Sequence, residues 1–262
     1  MVMLDVLVFI IGHYLQQKYY KILMLKEQDS EYNMGINYGP PPIVVNGLYF
    51  CVDFSDTHCY PGSGTTANDL ISGTAGTLYN GASVVDGCAV FDGTNDYFGN
   101  GVTVTTAQLS AGYTFELWGL WENIEGGNED MHGFHTGGTG GRMYLGWYQN
   151  KMMSGTGSSY QQINSVTGTD NAWCHMAHTH DGSGNVATYY NGSSVATASG
   201  RSYSLGQSPA PLTFGGYLGG SGHAPSGAQV DGKLACSHWY TRALSASEIS
   251  QNFNAKRGRF GV

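Results

Sequence analysis

Charge is scarce in this chain, and so are the usual anchors of metals, nucleic acids and membranes. Only 11% of its 262 residues are charged, and 19 acidic residues outnumber 11 basic ones, for a net charge of −8. Phosphate binding needs clustered lysine and arginine, so this balance excludes a nucleic-acid partner. The one basic cluster, Lys256, Arg257 and Arg259, ends a helical pattern, where cations offset the negative pole of the helix dipole. No two cysteines are spaced as CxxC, which removes the common zinc patterns. The five cysteines cannot all pair with one another. Cys51, Cys88, Cys174 and Cys236 sit in strand-like apolar runs and Cys59 in a loop, the pattern of buried free thiols assembled in a reducing compartment. Long apolar runs are missing too. Val6 to Ile11 is far short of the ~20 residues that span a bilayer. A signal peptide fits poorly, because the cationic start is absent, Asp5 interrupts it and no small-residue cleavage site follows.

What is present is turn and strand material. Forty glycines and 18 tyrosines with little charge suit many short strands joined by turns. The segments AVFDG, YTFELWGLW, RMYLGWY, NVATYYNG, LTFGGY and KLACSHWY are expected strands, and clusters of Gly, Asn, Asp and Ser separate them. Tyr190-Asn191-Gly192-Ser193 predicts a hairpin with a type I′ turn, which also accounts for its glycosylation triplet. Two segments are more specific. In FDGTNDYF, Phe91 to Phe98, the pairs Asp92-Gly93 and Asn95-Asp96 supply tight-turn chemistry between strands. In YTRALSASEI, Tyr240 to Ile249, a strand ends and a helix opens, with Ser245 as N-cap and Glu248 completing a capping box.

Four further segments fall between and around these in a consistent order: Asn46 to Phe54, YPGSGTTANDLISG, AWCHMAHTHDGSGNVATYYNGSSVATAS, and LTFGGY followed by VDGKLACSHWYTRALS. Together they resemble the laminin-G-like branch of the concanavalin A-like lectin/glucanase superfamily, over roughly residues 43 to 256. The resemblance implies an all-β fold, a two-sheet antiparallel jelly-roll sandwich with a short C-terminal helix. Residues 47–262 would form that jelly roll with its terminal helix and basic tail. Residues 34–46, with Pro40, Pro41 and Pro42, read as an extended linker. Residues 1–33 are an extension with two readings, an amphipathic helix that docks on a partner or translated sequence ahead of a start at Met34.

The superfamily includes glycan-cleaving enzymes, and their chemistry makes a concrete demand. Two carboxyl groups must face each other at about 5 to 9 Å. The glucanase branch meets this with a Glu-x-Asp-x-Glu run on one strand, which is missing here. Glu116 and Glu122 share parity on YTFELWGLWE, but six residues of strand put them about 20 Å apart. Glu122, Glu125, Glu129 and Asp130 in ENIEGGNED read as a solvated acidic loop. No catalytic residues are therefore expected. His178 and His180 would share a strand face with Met176, and a His-x-His pair can hold a metal, aided by His132 or His135 from a glycine-rich loop. The family carries apolar residues at those two positions, which implies core histidines instead.

Two binding sites are expected. Jelly rolls of this kind often carry a structural calcium near one rim, and Asp92, Asn95, Asp96 and Asp231 are its candidate ligands. Arg142, Tyr144, Trp147, Tyr148 and Gln149 form a candidate strip for sugar, whose rings stack on aromatics and whose hydroxyls need directional partners. The resemblance extends in style to structural proteins of phages and other viruses. It implies a non-catalytic, lectin-like virion decoration or adhesion module at a particle surface, assembled in the cytoplasm and binding glycan or a neighbouring virion protein. The alternatives are a β-glucanase or polysaccharide lyase of the same fold, and a purely structural decoration protein without ligand.

Overall fold

The alternation read in the sequence becomes two facing layers of antiparallel sheet. The computed structural model describes residues 40–124, 128–135, 142–156, 159–201, 209–218, 225–227 and 229–262. The expectations for residues 1–33 and for a start at Met34 lie outside these. In chain order the first strands are β1 (Leu48–Asp53), β2 (Thr66–Asn68), β3 (Ala75–Tyr79), β4 (Ser83–Val85), β5 (Cys88–Asp92), β6 (Tyr97–Val104) and β7 (Tyr113–Trp121). Then follow β8 (Asn128–His135), β9 (Arg142–Tyr148), β10 (Lys151–Thr156), β11 (Ser159–Thr167), β12 (Trp173–His180), β13 (Val186–Tyr190) and β14 (Ser193–Ala198). The last are β15 (Ala210–Phe214), β16 (Tyr217–Leu218), β17 (Pro225–Gly227) and β18 (Asp231–Tyr240). Helix α1 (Thr106–Ser110) precedes β7, and α2 (Ala246–Phe260) closes the described chain.

One layer is a sheet in the order β14-β13-β12-β7-β18-β5-β4, with β1 on the second half of β18. The other consists of β15-β6-β3-β2 and β11-β10-β9-β8, with β15 running beside β8. Phe50, Phe91, Phe115, Leu117, Met176 and Trp239 from the first layer meet Leu78, Phe98, Leu212, Phe214, Leu145 and Met152 from the second, all buried. The ring of Phe214 sits 5.9 Å from Phe50 and 6.0 Å from Phe98, so aromatic packing locks the layers together. The all-β sandwich and its terminal helix are thus as the resemblance implied.

The turn and cap chemistry is where the residues placed it. Asn191 and Gly192 have φ of 47° and 75°, and Tyr190 pairs with Ser193, which makes the type I′ hairpin. Ser245 Oγ accepts from the Glu248 N–H, and the Glu248 carboxylate accepts from the Ser245 N–H at 2.8 Å.

Helix α2 lies on the outer face of the first sheet. Phe253 and Phe260 stack on Trp118 with centroids 5.6 Å and 4.3 Å away. Both faces of β7 are therefore covered, and all nine of its residues are buried. A register shift between Leu234 and Cys236 makes Ala235 a β-bulge in β18. Leu234 points between the sheets, and after the bulge it is Trp239 that does so, while Cys236, His238 and Tyr240 turn toward the helix.

Two loop readings are corrected. The end of ENIEGGNED is strand rather than loop, because Asn128, Glu129 and Asp130 pair with Tyr148, Trp147 and Gly146 of β9; ladder hydrogen bonds override the composition. His132 and His135 stand on that same strand. The linker is not free along its length. Val44 is buried, and its N–H donates to Asn252 Oδ1 at 2.7 Å while its carbonyl accepts from Tyr240 at 2.9 Å. All five cysteines are free and buried, the loop residue Cys59 included, as the sequence pattern implied.

Candidate functional site

The β9–β10 hairpin holds the expected sugar strip, and strand alternation divides it. Gln149 and Asn150 both have left-handed φ, 49° and 54°, which closes the hairpin tightly. Trp147 points into the core. It is 2% exposed and meets Trp121 and Tyr190 edge-on at 6.1 Å and 5.9 Å, so a ligand at the surface does not reach it. Tyr148 falls on the opposite side of the strand and is half-buried, and Gln149 is exposed and donates to the Tyr148 hydroxyl. Lys151, directly opposite Tyr148, donates to Thr167 Oγ1. Arg142 and Tyr144 share the strand, but their side chains lie outside the described part. One hairpin end thus gathers a phenol ring, an amide, an ammonium and a hydroxyl, the groups that a sugar ring and its hydroxyls require. Lys151 and Thr167 were missed from the sequence, since only the β10–β11 pairing brings Thr167 to Lys151.

The candidate calcium ligands gather at the turn between β5 and β6. Asp92 pairs directly with Asp231 in the β18–β5 ladder. Asp92 Oδ1 is engaged by the Thr94 N–H at 2.8 Å, and the Asn95 carbonyl accepts from Asn80 at 2.9 Å. Asp96 is buried, with no hydrogen-bond partner for Oδ1, and burial followed by the charge of Asp92 raises its pKa. Among the described residues no three His, Cys, Asp or Glu side chains stand close enough to hold a metal ion.

The histidines of β12 serve two sides of the sheet. His178 faces the space between the sheets, its Nδ1 3.3 Å from both Ser154 Oγ and Thr188 Oγ1. Burial, with His180 adding to it, pulls its pKa down to about 3, so the ring is neutral. His180 stacks on Tyr113 at 5.4 Å. His175 faces outward, under α2, and meets a carboxylate that the sequence did not connect to it. Glu116 Oε1 accepts from His238 Nδ1 at 2.6 Å and from Asn252 Nδ2 at 2.9 Å, and Oε2 lies 3.4 Å from His175 Nε2. Burial would raise the Glu116 pKa, yet the hydrogen bonds from His175 and His238 and their charges bring it down to about 2. The carboxylate is 1% exposed and sealed beneath α2, which leaves no path for a substrate. Glu122 stands at the exposed end of β7, so these two carboxyls do not form a pair.

A family model described as the concanavalin A-like lectin/glucanases superfamily matches residues 92–250. The chain belongs to this superfamily. That stretch runs from the turn between β5 and β6 to the start of α2, and so includes both candidate sites. Among solved structures, the concanavalin A-like chain is similar to Trypanosoma rangeli sialidase in complex with the inhibitor DANA, with a TM-score of 0.63 and 16% identity. That match covers 92% of this chain and 38% of the sialidase. It is also similar to domain 4 of an extracellular arabinanase from Geobacillus stearothermophilus, solved with arabinotriose, with a TM-score of 0.61, 17% identity and coverage of 79% of this chain and 98% of that domain. The binding domain of Paraclostridial Mosquitocidal Protein 1 gives a TM-score of 0.58 at 14% identity, over 80% of this chain and 52% of that one. At these identities the likeness is one of fold. No curated protein sequence matches the chain.

Proposed function

We propose that this concanavalin A-like module is a non-catalytic glycan-binding protein whose ligand face is the β9–β10 hairpin end, around Tyr148, Gln149 and Lys151. The observation that carries this is the match to the arabinanase domain, which is covered over 98% of its length and was solved with arabinotriose. The carboxylates support the same reading. Glu116 on β7 is locked under α2 and Glu122, just past the end of that strand, stands apart from it, whereas glycoside hydrolysis needs two carboxyls that face a common space. Display on a particle, where the module binds glycan or a neighbouring virion protein, is the setting we propose for it. Five buried free thiols suit assembly in a reducing compartment before release.

The test is a glycan array probed with the wild type and with Tyr148→Ala. Binding of one sugar class by the wild type that falls at least tenfold in the variant supports the proposal. No binding to any glycan overturns it, and release of reducing ends from β-glucans or alginates would replace it with the enzymatic reading. Calcium at the Asp92–Asp231 turn is a separate proposal, for which the orphaned Asp96 Oδ1 speaks and the occupied Asp92 Oδ1 does not. A melting temperature that rises with calcium and falls with chelator would support it, and an unchanged one would overturn it.

A further inference from the structure

Three carboxylates tie α2 to the rest of the fold, spaced along one face of the helix. At its first turn, Glu248 is gripped by Arg242, whose Nη1 lies 3.0 Å from Oε2 and whose Nε donates to the Asn46 carbonyl. In its middle, Asn252 reaches Glu116 with one amide hydrogen and the Tyr240 hydroxyl with the other, while its oxygen accepts from Val44. In its last turns, Asp53 of β1 accepts from Lys256 and Arg259, both at 2.8 Å. Positions 248, 252, 256 and 259 follow the spacing of a single helix face. The strap of residues 42–46 is caught in the same ties, through Val44, Asn46 and the bond from Gln251 to the Pro42 carbonyl.

We propose that Glu116, Asp53 and Glu248 form an acid-released clasp, so that on acidification α2 and the strap lift off the outer face of the first sheet while the two layers stay packed. Glu116 accepts from His238 and Asn252 on Oε1, and its Oε2 faces His175 Nε2 at 3.4 Å. A protonated carboxyl is an uncharged and weaker acceptor, so its hold on both donors weakens. Asp53 loses its two cation partners in the same way. The other titratable groups around Glu116 do not take over its role. Burial pushes up the pKa values of Cys51 on β1 and of Cys236 and Tyr240 on β18, so these stay neutral in acid, while His238 donates to Glu116 and His175 faces it at 3.4 Å.

The sign follows from the direction of the shifts. Glu116 is held at about 2; Glu248 is likewise held at about 2, first by its bond from Arg242; Asp53 lies well below the carboxylate range because Lys256 and Arg259 outweigh its burial. Each contributes stability that is full above its ordinary pKa near 4 and is lost as pH falls toward its folded value. For Glu116 alone, the shift from 4.5 to about 2 raises the opening constant of the clasp about 30-fold at pH 3. The packing between the layers is apolar apart from His178, whose buried neutral ring takes stability from the layers as pH falls below its ordinary value toward about 3.

Hydrogen exchange of the whole chain at pH 6 and pH 3, corrected for the intrinsic effect of pH, tests this. Residues 246–260 should open about 30-fold more at pH 3, while amides of β6, β7 and β15, which lose the stability linked to His178, stay better protected than the helix. Glu116→Gln should open the helix already at pH 6 and respond less to acid. Should that variant fail to fold, Asp53→Asn provides the same comparison from the other end of α2. Loss of helix and strand protection in one step overturns the clasp, as does a change below threefold in residues 246–260.

Discussion

His238 and Glu116 stand directly opposite each other in the β18–β7 pairing, and the imidazole Nδ1–H donates to the carboxylate across 2.6 Å. Both are buried, so the bond is made where water cannot replace it. Glu116→Ala removes the acceptor and strands His238 and Asn252. It should cost about 3–5 kcal/mol in urea denaturation at pH 7, and a loss under about 1 kcal/mol would show that the network contributes little.

Acid provides a second measure of the same group. With a folded pKa of about 2 against an ordinary 4.5, Glu116 supplies stability present above pH 4.5 and lost by pH 2. The stability gap between wild type and Glu116→Gln should therefore narrow by about 3 kcal/mol between pH 5 and pH 2, at about 1.4 kcal/mol per unit. A gap that stays constant with pH would place the shift elsewhere.

Trp147 and Tyr148 are neighbours with opposite fates. Trp147→Ala empties a site packed against Trp121 and Tyr190, and should destabilise by about 3–5 kcal/mol. Tyr148→Ala should shift stability by under about 1 kcal/mol and act on glycan binding instead. Thermal unfolding of both variants separates the roles; equal destabilisation would place Tyr148 in the core.

Gly232 meets the backbone of β7. A Cβ there would stand 2.1 Å from the Leu120 carbonyl oxygen, inside the strand pairing that centres the first sheet. Gly232→Ala should lower stability by about 2 kcal/mol or more. An unchanged urea midpoint would mean that β18 and β7 separate freely.

The thiols should be silent in the native protein. Burial raises the pKa of Cys236 to about 12 and that of Cys59 to about 11, and only thiolates attack disulfide reagents. A colorimetric thiol assay should find all five slow in buffer and all five reactive in denaturant. Rapid native reaction of one thiol would contradict its burial.

The scaffold was legible in the sequence because turns and caps are local. Gly93, Asn191-Gly192 and the Ser245–Glu248 box are each decided by a few adjacent residues, and each is found in place. Strand β8 was hidden, since Gly126 and Gly127 with four acidic residues look like loop, and only the β9 partner makes residues 128–135 a strand. The Glu116 network was hidden for a different reason. Alternation on β7 gives one inward and one outward face, and the outward one is read as solvated until α2, over 120 residues later, covers it. The sugar strip lay between these extremes: the strand RMYLGWY was visible, while its hairpin with β10 and the burial of Trp147 depended on partners.

The bulge at Ala235 also makes the length of β18 informative. Were Ala235 instead absorbed into simple alternation, His238 and Tyr240 would turn toward the aromatic packing between the layers, and Trp239 would lie beneath α2. No side chain would change in chemical identity, yet Glu116 would lose its partner and the helix its seat. Homologues aligned through this strand should thus be compared by residue count before residue type.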